Sequence, residues 1–308
     1  MRFLRTLSWT AAVTAALLAW PALAEAKVKV VATLPDLATV AREVGGPDVE
    51  VTALSVPTQD PHFVDARPSL VLPLNRADLL VLTGLQLEVG WLPNLIVGSR
   101  NPRIQTGTPG QLDASTVVPL KGVPTEAISR AQGDIHPGGN PHYMIDPREG
   151  ARVAKAIADR LGQLDPAHRA GYSARAATLA TGAANLAAKE AKRFASLPSA
   201  RKQVVVYHES MIYLLQWLGV KQIDTLEPKP GIPPSPQHVA MVIVKMKGDH
   251  VPVILYEDYR PRNTGALVAE KTNAKLVIVP GGPDFDHGQS YLAYVQDVTN
   301  KLFAGLQP

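Results

Sequence analysis

From residue 27 onward the chain alternates short apolar runs with amphipathic stretches. Lys27-Val28-Lys29-Val30-Val31-Ala32-Thr33 alternates and then becomes continuously apolar, the mark of a buried strand. Pro35 through Val44 follows helical spacing and stops at Gly45-Gly46. Val49–Leu54 reads as a second strand, Ser69–Arg76 as a helix and Leu79–Thr83 as a third strand. The same rhythm returns later. Strands are predicted at Gln203–Tyr207, Lys221–Leu226, Val251–Tyr256 and Lys275–Val279, and helices at Met211–Leu218, Pro236–Lys247, Thr264–Thr272 and Ser290–Leu306. Strands alternating with helices predict parallel sheets covered by helices on both faces.

The middle of the chain differs. Pro147–Leu164 is one amphipathic helix, and Asp165-Pro166 opens the next. Up to Phe194 that second stretch is Ala-rich, with Gly182 the sole Gly or Pro after Gly171. A helix of about 27 residues would span roughly 40 Å, longer than one lobe. The predicted fold class is therefore α/β, with two doubly wound lobes bridged by one long rigid helix. The boundaries fall at 25–166 for the N-terminal lobe, 167–197 for the linking helix and 198–308 for the C-terminal lobe.

Residues 1–24 read as a signal peptide. Arg2 and Arg5 precede an apolar stretch from Leu7 to Trp20, and Ala22-Leu23-Ala24 offers the small residues of a cleavage site. About 14 apolar residues are too few to span a bilayer core. The expected location is therefore the periplasm, soluble after cleavage. Cysteine is absent from the 308 residues, which leaves no thiolate ligand and no thiol for lipid attachment. The net charge of +4 includes Arg2 and Arg5, and no Lys/Arg run with interleaved aromatics occurs, so nucleic acid is not an expected partner.

The candidate chemistry lies in histidines that follow or lie near predicted strands. His62 ends Asp60-Pro61-His62, His142 ends Asn140-Pro141-His142, and His208 follows Val204-Val205-Val206-Tyr207. Ligands of doubly wound folds gather at the carboxyl ends of strands, where His62 and His208 are placed. Neutral imidazole suits zinc, copper, nickel and iron. A preceding proline stiffens the backbone that presents two of the rings. Three histidines and a carboxylate would give zinc a closed, four-coordinate site that holds metal without activating water.

These motifs, with Asp146-Pro147, Tyr207-His208-Glu209, Leu164-Asp165-Pro166, Tyr256-Glu257 and Ala269–Ala274, resemble the zinc- and manganese-binding solute-binding proteins of ABC importers, often called cluster A-I. The resemblance runs through the whole chain beyond the signal peptide. It implies one metal ion in a cleft between the lobes, with His62 and His142 from the first and His208 from the second. A histidine at the third position is typical of zinc-type members, whereas manganese-binding members tend to place a glutamate there. It further implies a non-enzymatic monomer that delivers zinc to an ABC transporter permease in the inner membrane, with manganese the less favoured cargo. A periplasmic zinc chaperone is a second candidate partner. Family members place an Asp just after the last strand, but here the stretch reads Val279-Pro280-Gly281-Gly282-Pro283-Asp284. Asp284 is the expected fourth ligand, with Asp286, Glu257 or a water as alternatives. Gly133–Asn140, holding Asp134 and His136, is a short version of a His/Asp-rich loop of zinc-type relatives. It reads as a Gly-rich surface loop, with metal capture as the alternative.

Two rival readings have weaker support. A metallohydrolase would use Glu209 beside His208 as a base, but the chain has no His-Glu-x-x-His helix and no Gly-x-Ser-x-Gly elbow. A binding protein for a chelated metal would favour Arg, Tyr and Trp over histidines in tight turns.

Overall fold

The computed structural model describes residues 26–125, 136–229 and 231–308. The expected signal peptide and Asp134 lie outside these residues. Within them, one sheet is built from β1 (Val28–Ala32), β2 (Val49–Ala53), β3 (Leu79–Leu82) and β4 (Gln111–Asp113). A second comprises β5 (Gln203–Val206), β6 (Lys221–Thr225), β7 (Val253–Glu257) and β8 (Lys275–Val279). Their orders, β2-β1-β3-β4 and β6-β5-β7-β8, are the same pattern used twice, and every pairing is parallel. In each, the chain returns to the other side of the first strand. This creates a switch point at the carboxyl ends of β1 and β3, and of β5 and β7, where such folds bind ligands.

The helices are α1 (Pro35–Gly45), α2 (Val71–Arg76), α3 (Leu92–Ser99), α4 (Pro147–Leu164), α5 (Arg169–Ala195), α6 (Ile212–Leu218), α7 (Pro236–Gly248), α8 (Arg262–Thr272) and α9 (Tyr291–Leu306). Helix α2 is shorter than predicted because Pro68–Leu70 forms a separate 3-10 turn ahead of it. Both α3 and β4 are absent from the sequence reading. Three-residue β4 buries only Leu112 and exists through its pairing with β3.

Side-chain alternation sorts the strands' residues between two layers. Val30, Ala32, Leu79, Val81, Val204, Val206, Val253 and Leu255 face one shared core with α1, α4, α5, α6 and α9. Their neighbours Val31 and Leu80, and Val205, Ile254 and Tyr256, face separate outer cores, one per sheet. Each fully buried Val or Leu contributes about 1.5–3 kcal/mol, so the shared core joins the lobes as well as filling them.

Helix α5 spans 27 residues and is fastened to both halves. Arg175 donates to the Val44 and Gly45 carbonyls and to Asp48, satisfying the end of α1. Near the other end, Trp217 Nε1 donates to the Ala187 carbonyl and Arg193 donates to Asn300 on α9. Other bonds also tie the start of α9 to the first half. Tyr291 Oη donates to the Met144 carbonyl at 2.8 Å, and Arg42 donates to the Phe285 and Gln289 carbonyls.

Gly150 in α4 lies directly beneath the Tyr291 phenol, so an added Cβ would fall on that ring. Helix propensity alone favours alanine at this position by about 1 kcal/mol. Overpacking reverses the sign: Gly150→Ala is expected to destabilise by about 1–3 kcal/mol in urea denaturation. A variant more stable than wild type would show that Tyr291 yields freely.

Candidate metal centre

His62 sits in the loop after β2, and a single side chain holds it. Asp60 Oδ1 accepts both the His62 backbone N–H at 3.0 Å and ring Nδ1 at 2.8 Å. Pro61 between them stiffens the turn, and its carbonyl accepts Trp91 Nε1 at 3.0 Å. The second Pro-His turn is built the same way. Asn140 Oδ1 accepts the His142 backbone N–H at 3.0 Å and ring Nδ1 at 3.1 Å. The amide is oriented by its Nδ2, which donates to the Glu209 carbonyl. His142 follows no strand directly but lies just ahead of a 3-10 turn, Tyr143–Ile145, that leads into α4.

His208 lies two residues beyond β5, and Glu227 two beyond β6. Backbone bonds from Leu226 N to Val206 O and from Glu227 N to Tyr207 O extend the ladder to this point. The register brings Glu227 Oε2 within 2.7 Å of His208 Nδ1, both side chains being buried. Glu209, the base that a hydrolase would need, is exposed.

His62, His142 and His208 therefore converge. Each offers a ring nitrogen within 4.8 Å of the other two, and their ring centroids are 5.3 Å apart in every pairing. A fourth imidazole stands beside them. His136 Nε2 is 3.2 Å from His62 Nε2, and His136 Nδ1 is 2.9 Å from the Leu85 carbonyl. That carbonyl is presented by a turn with positive φ at Gly84, Leu85 and Gln86. Glu88 holds the turn by accepting the Thr83 and Gly84 N–H groups and the Thr33 hydroxyl. The sequence places His136 in a Gly-rich surface loop, with metal capture as the alternative. The signal was its position six residues before His142 in a His-Pro-Gly-Gly-Asn-Pro-His run.

Asp284 is not brought to this cluster. Its side chain is 57% exposed and is bonded to His287 Nδ1, which draws its carboxyl below the ordinary range. Gly281, at the start of the loop after β8, packs closely against the Tyr259 ring and the Pro57 carbonyl. Asp286 is exposed as well. Glu257 is buried near His142 but already accepts the Ser210 hydroxyl and faces Arg260.

The acceptors decide which nitrogens are free. A carboxylate or carbonyl oxygen next to Nδ1 requires a proton there, so each neutral ring carries its hydrogen on Nδ1 and a lone pair on Nε2. Burial weakens the charge of Asp60, but the His62 N–H bonds and Arg260 outweigh it and hold the carboxyl at about 2. Burial pushes His142 well below its ordinary value, aided by His208 and His62. Burial and the neighbouring His62 lower His136 to about 4. His142 Nε2 is buried and has no hydrogen-bond partner among the described residues. The 3.2 Å approach of two Nε2 atoms is favourable only around a shared cation or proton. Around tetrahedral zinc with bonds of about 2.0–2.1 Å, neighbouring nitrogens lie about 3.3 Å apart; the His62–His136 pair already has this spacing, and the ring nitrogens of His62, His142 and His208 stand within 4.8 Å of one another.

Comparison with known proteins identifies relatives over nearly the whole chain. A family described as zinc-uptake complex component A, periplasmic, matches residues 30–305. The metal ABC transporter substrate-binding lipoprotein FimA of Streptococcus parasanguinis is 24% identical over 294 residues, covering 92% of this chain and 90% of FimA. The manganese ABC transporter substrate-binding lipoprotein PsaA of Streptococcus pneumoniae is 24% identical over 290 residues, covering 91% of this chain and 89% of PsaA. The fold is shared with a crystal structure of ZnuA at a TM-score of 0.76 and 22% identity, covering 91% of this chain and all of that one. These are substrate-binding proteins of ABC transporters and not enzymes. The chain belongs to the family of metal-binding periplasmic components typified by zinc-uptake component A.

Proposed function

We propose that the protein captures one zinc ion per chain through Nε2 of His62, His142, His208 and His136, and delivers it to an ABC transporter permease in the inner membrane. The observation that carries this reading is the arrangement of rings and acceptors. Each Nδ1 is held by protein and each Nε2 is left as a lone pair, while the carboxylates Asp60 and Glu227 stand behind rings. An all-nitrogen set suits zinc, and manganese prefers oxygen donors. Four protein ligands make a closed site that holds cargo without activating a water. Manganese, named for one of the relatives, is the second reading.

In this account residues 25–166 and 198–308 are the two lobes, joined by 167–197, and the signal peptide ends at Ala24. The relatives above are named lipoproteins, whereas this chain has no cysteine to carry a thioether-linked lipid. Among the described residues no helix is long and apolar enough to cross a membrane. The reading therefore places the processed protein free in the periplasm, where the metal-loaded form is what the permease recognises.

Competitive titration of chelator-stripped protein tests the ligand set. Zinc is expected to bind at one per chain and to displace manganese. His208→Ala and His136→Ala should each weaken zinc at least tenfold, and Asp284→Ala should leave it unchanged. Manganese winning, or Asp284→Ala weakening zinc as strongly as the histidine variants, would contradict the reading.

The lowered imidazoles also set a pH dependence. His136 and His142 stay neutral in the fold while unfolded imidazoles, with an ordinary value of 6.5, take up protons. As the pH falls from 6.5 toward 4, the unfolded state binds the extra protons and the fold loses stability. The Tm of metal-free protein is expected to fall across this window, less steeply in His136→Ala than in wild type. Identical slopes would show that His136 is not held neutral.

A further inference from the structure

Arg260 lies just beyond β7 and reaches the first lobe. Its Nη1 donates to Asp60 Oδ2 at 2.7 Å, a bond between residues 200 apart in sequence. The other oxygen of Asp60 accepts His62 Nδ1 at 2.8 Å. A chain of two bonds thus runs from the C-terminal half of the molecule to one ring of the imidazole cluster. The guanidinium is 8% exposed and lies near the rings of Tyr207 and Tyr259, 5.3 and 4.9 Å from their centroids. Its Nε is 3.8 Å from Glu257 Oε2, too far for a hydrogen bond.

The residue is a poor choice for stability alone. Nε and Nη2 are buried with no hydrogen-bond partner among the described residues. Burying a guanidinium and leaving two donors idle costs free energy that the ion pairs with Asp60 and Glu257 do not reliably recover, and an apolar side chain of similar size often does as well. What an apolar side chain lacks is a grip on Asp60. With one oxygen taken by Arg260, the carboxylate has a single orientation in which the other oxygen meets both N–H groups of His62.

We propose that Arg260 is a positioning residue that acts across the cleft: it fixes Asp60, and through it the plane and tautomer of His62, only when the two lobes are together. Metal affinity is thereby tied to the contact between the lobes by a residue that does not touch the metal. This rests on the reading of the imidazole cluster as the metal site.

The test is a double-mutant cycle on zinc affinity in the full-length processed protein, with Arg260→Met, Asp60→Asn and the pair. Loss of a partner behind a metal-binding histidine typically weakens affinity about 10–100-fold. Arg260→Met is expected to fall in that range, and the double variant to bind no more weakly than Asp60→Asn alone. Arg260→Lys, which keeps the charge, should recover part of the loss. Additive losses would overturn the proposal, because Arg260 would then act by another route. Wild-type affinity in Arg260→Met would overturn it as well. If Arg260→Met does not fold, Arg260→Gln completes the same cycle. Nitrogen-15 NMR of the metal-free protein supplies a readout that does not depend on zinc. His62 should hold its proton on Nδ1 in wild type and become a tautomer mixture in Arg260→Met. An unchanged His62 signal in the variant would refute the positioning role, whereas failure of wild type to bind zinc would instead refute the reading beneath it.

Discussion

Four imidazoles give their Nδ1 protons to acceptors supplied by the fold, namely Asp60, Asn140, Glu227 and the Leu85 carbonyl. Everything the site can do follows from those bonds. They set the tautomer of each ring, and so leave the basic nitrogen pointing toward the other rings. Converging lone pairs repel one another, and the buried His142 Nε2 has no hydrogen-bond partner among the described residues, which is unfavourable for the fold by itself. The same arrangement becomes favourable around a divalent cation, so part of the free energy of metal binding is relief of this repulsion. Ligand geometry held in advance also lowers the ordering cost of binding.

The scaffold delivers these rings from separate places in the chain. His62 and His142 depend on local turns, in which one Asx side chain serves the backbone and the ring two residues later. His208 depends on sheet register, because its acceptor lies at the end of the neighbouring strand. The turns belong to the first lobe and His208 to the second, so the metal can be gripped only if the lobes keep their spacing. A core shared by both sheets, helix α5 fastened at both ends, and the bonds of Tyr291 and Arg42 hold that spacing. Large hinge motion would break all of these together. Changes on metal release are therefore expected to centre on loops such as that carrying His136.

Much of this was legible in the sequence because its causes are local. Continuous apolar runs such as Val204–Val206 and the helical spacing of Pro147–Leu164 reappear as strand and helix with nearly the predicted bounds. The Asp-Pro-His and Asn-Pro-His turns are readable for the same reason, since proline and an Asx side chain act within three residues. Illegible features depend on contacts made at a distance. Strand β4 exists through its pairing with β3, and Glu227 meets His208 through strand register. Arg260 reaches Asp60 only because the lobes are stacked. The fourth position illustrates the difference most clearly. Asp284 comes later than the Asp of family members and lies exposed against His287, whereas His136 is brought beside His62 by a left-handed turn at Leu85.

The central claim is that four Nε2 atoms, His136 among them, form the whole inner shell of the bound metal. A crystal structure of the zinc-loaded protein, with anomalous data at the zinc edge, tests it directly. The account requires one zinc bonded to Nε2 of His62, His136, His142 and His208, with all four Nδ1 bonds to Asp60, Leu85, Asn140 and Glu227 intact. A carboxylate oxygen from Asp284, Asp286 or Glu257 in place of His136, or any ring turned to bind through Nδ1, would contradict it.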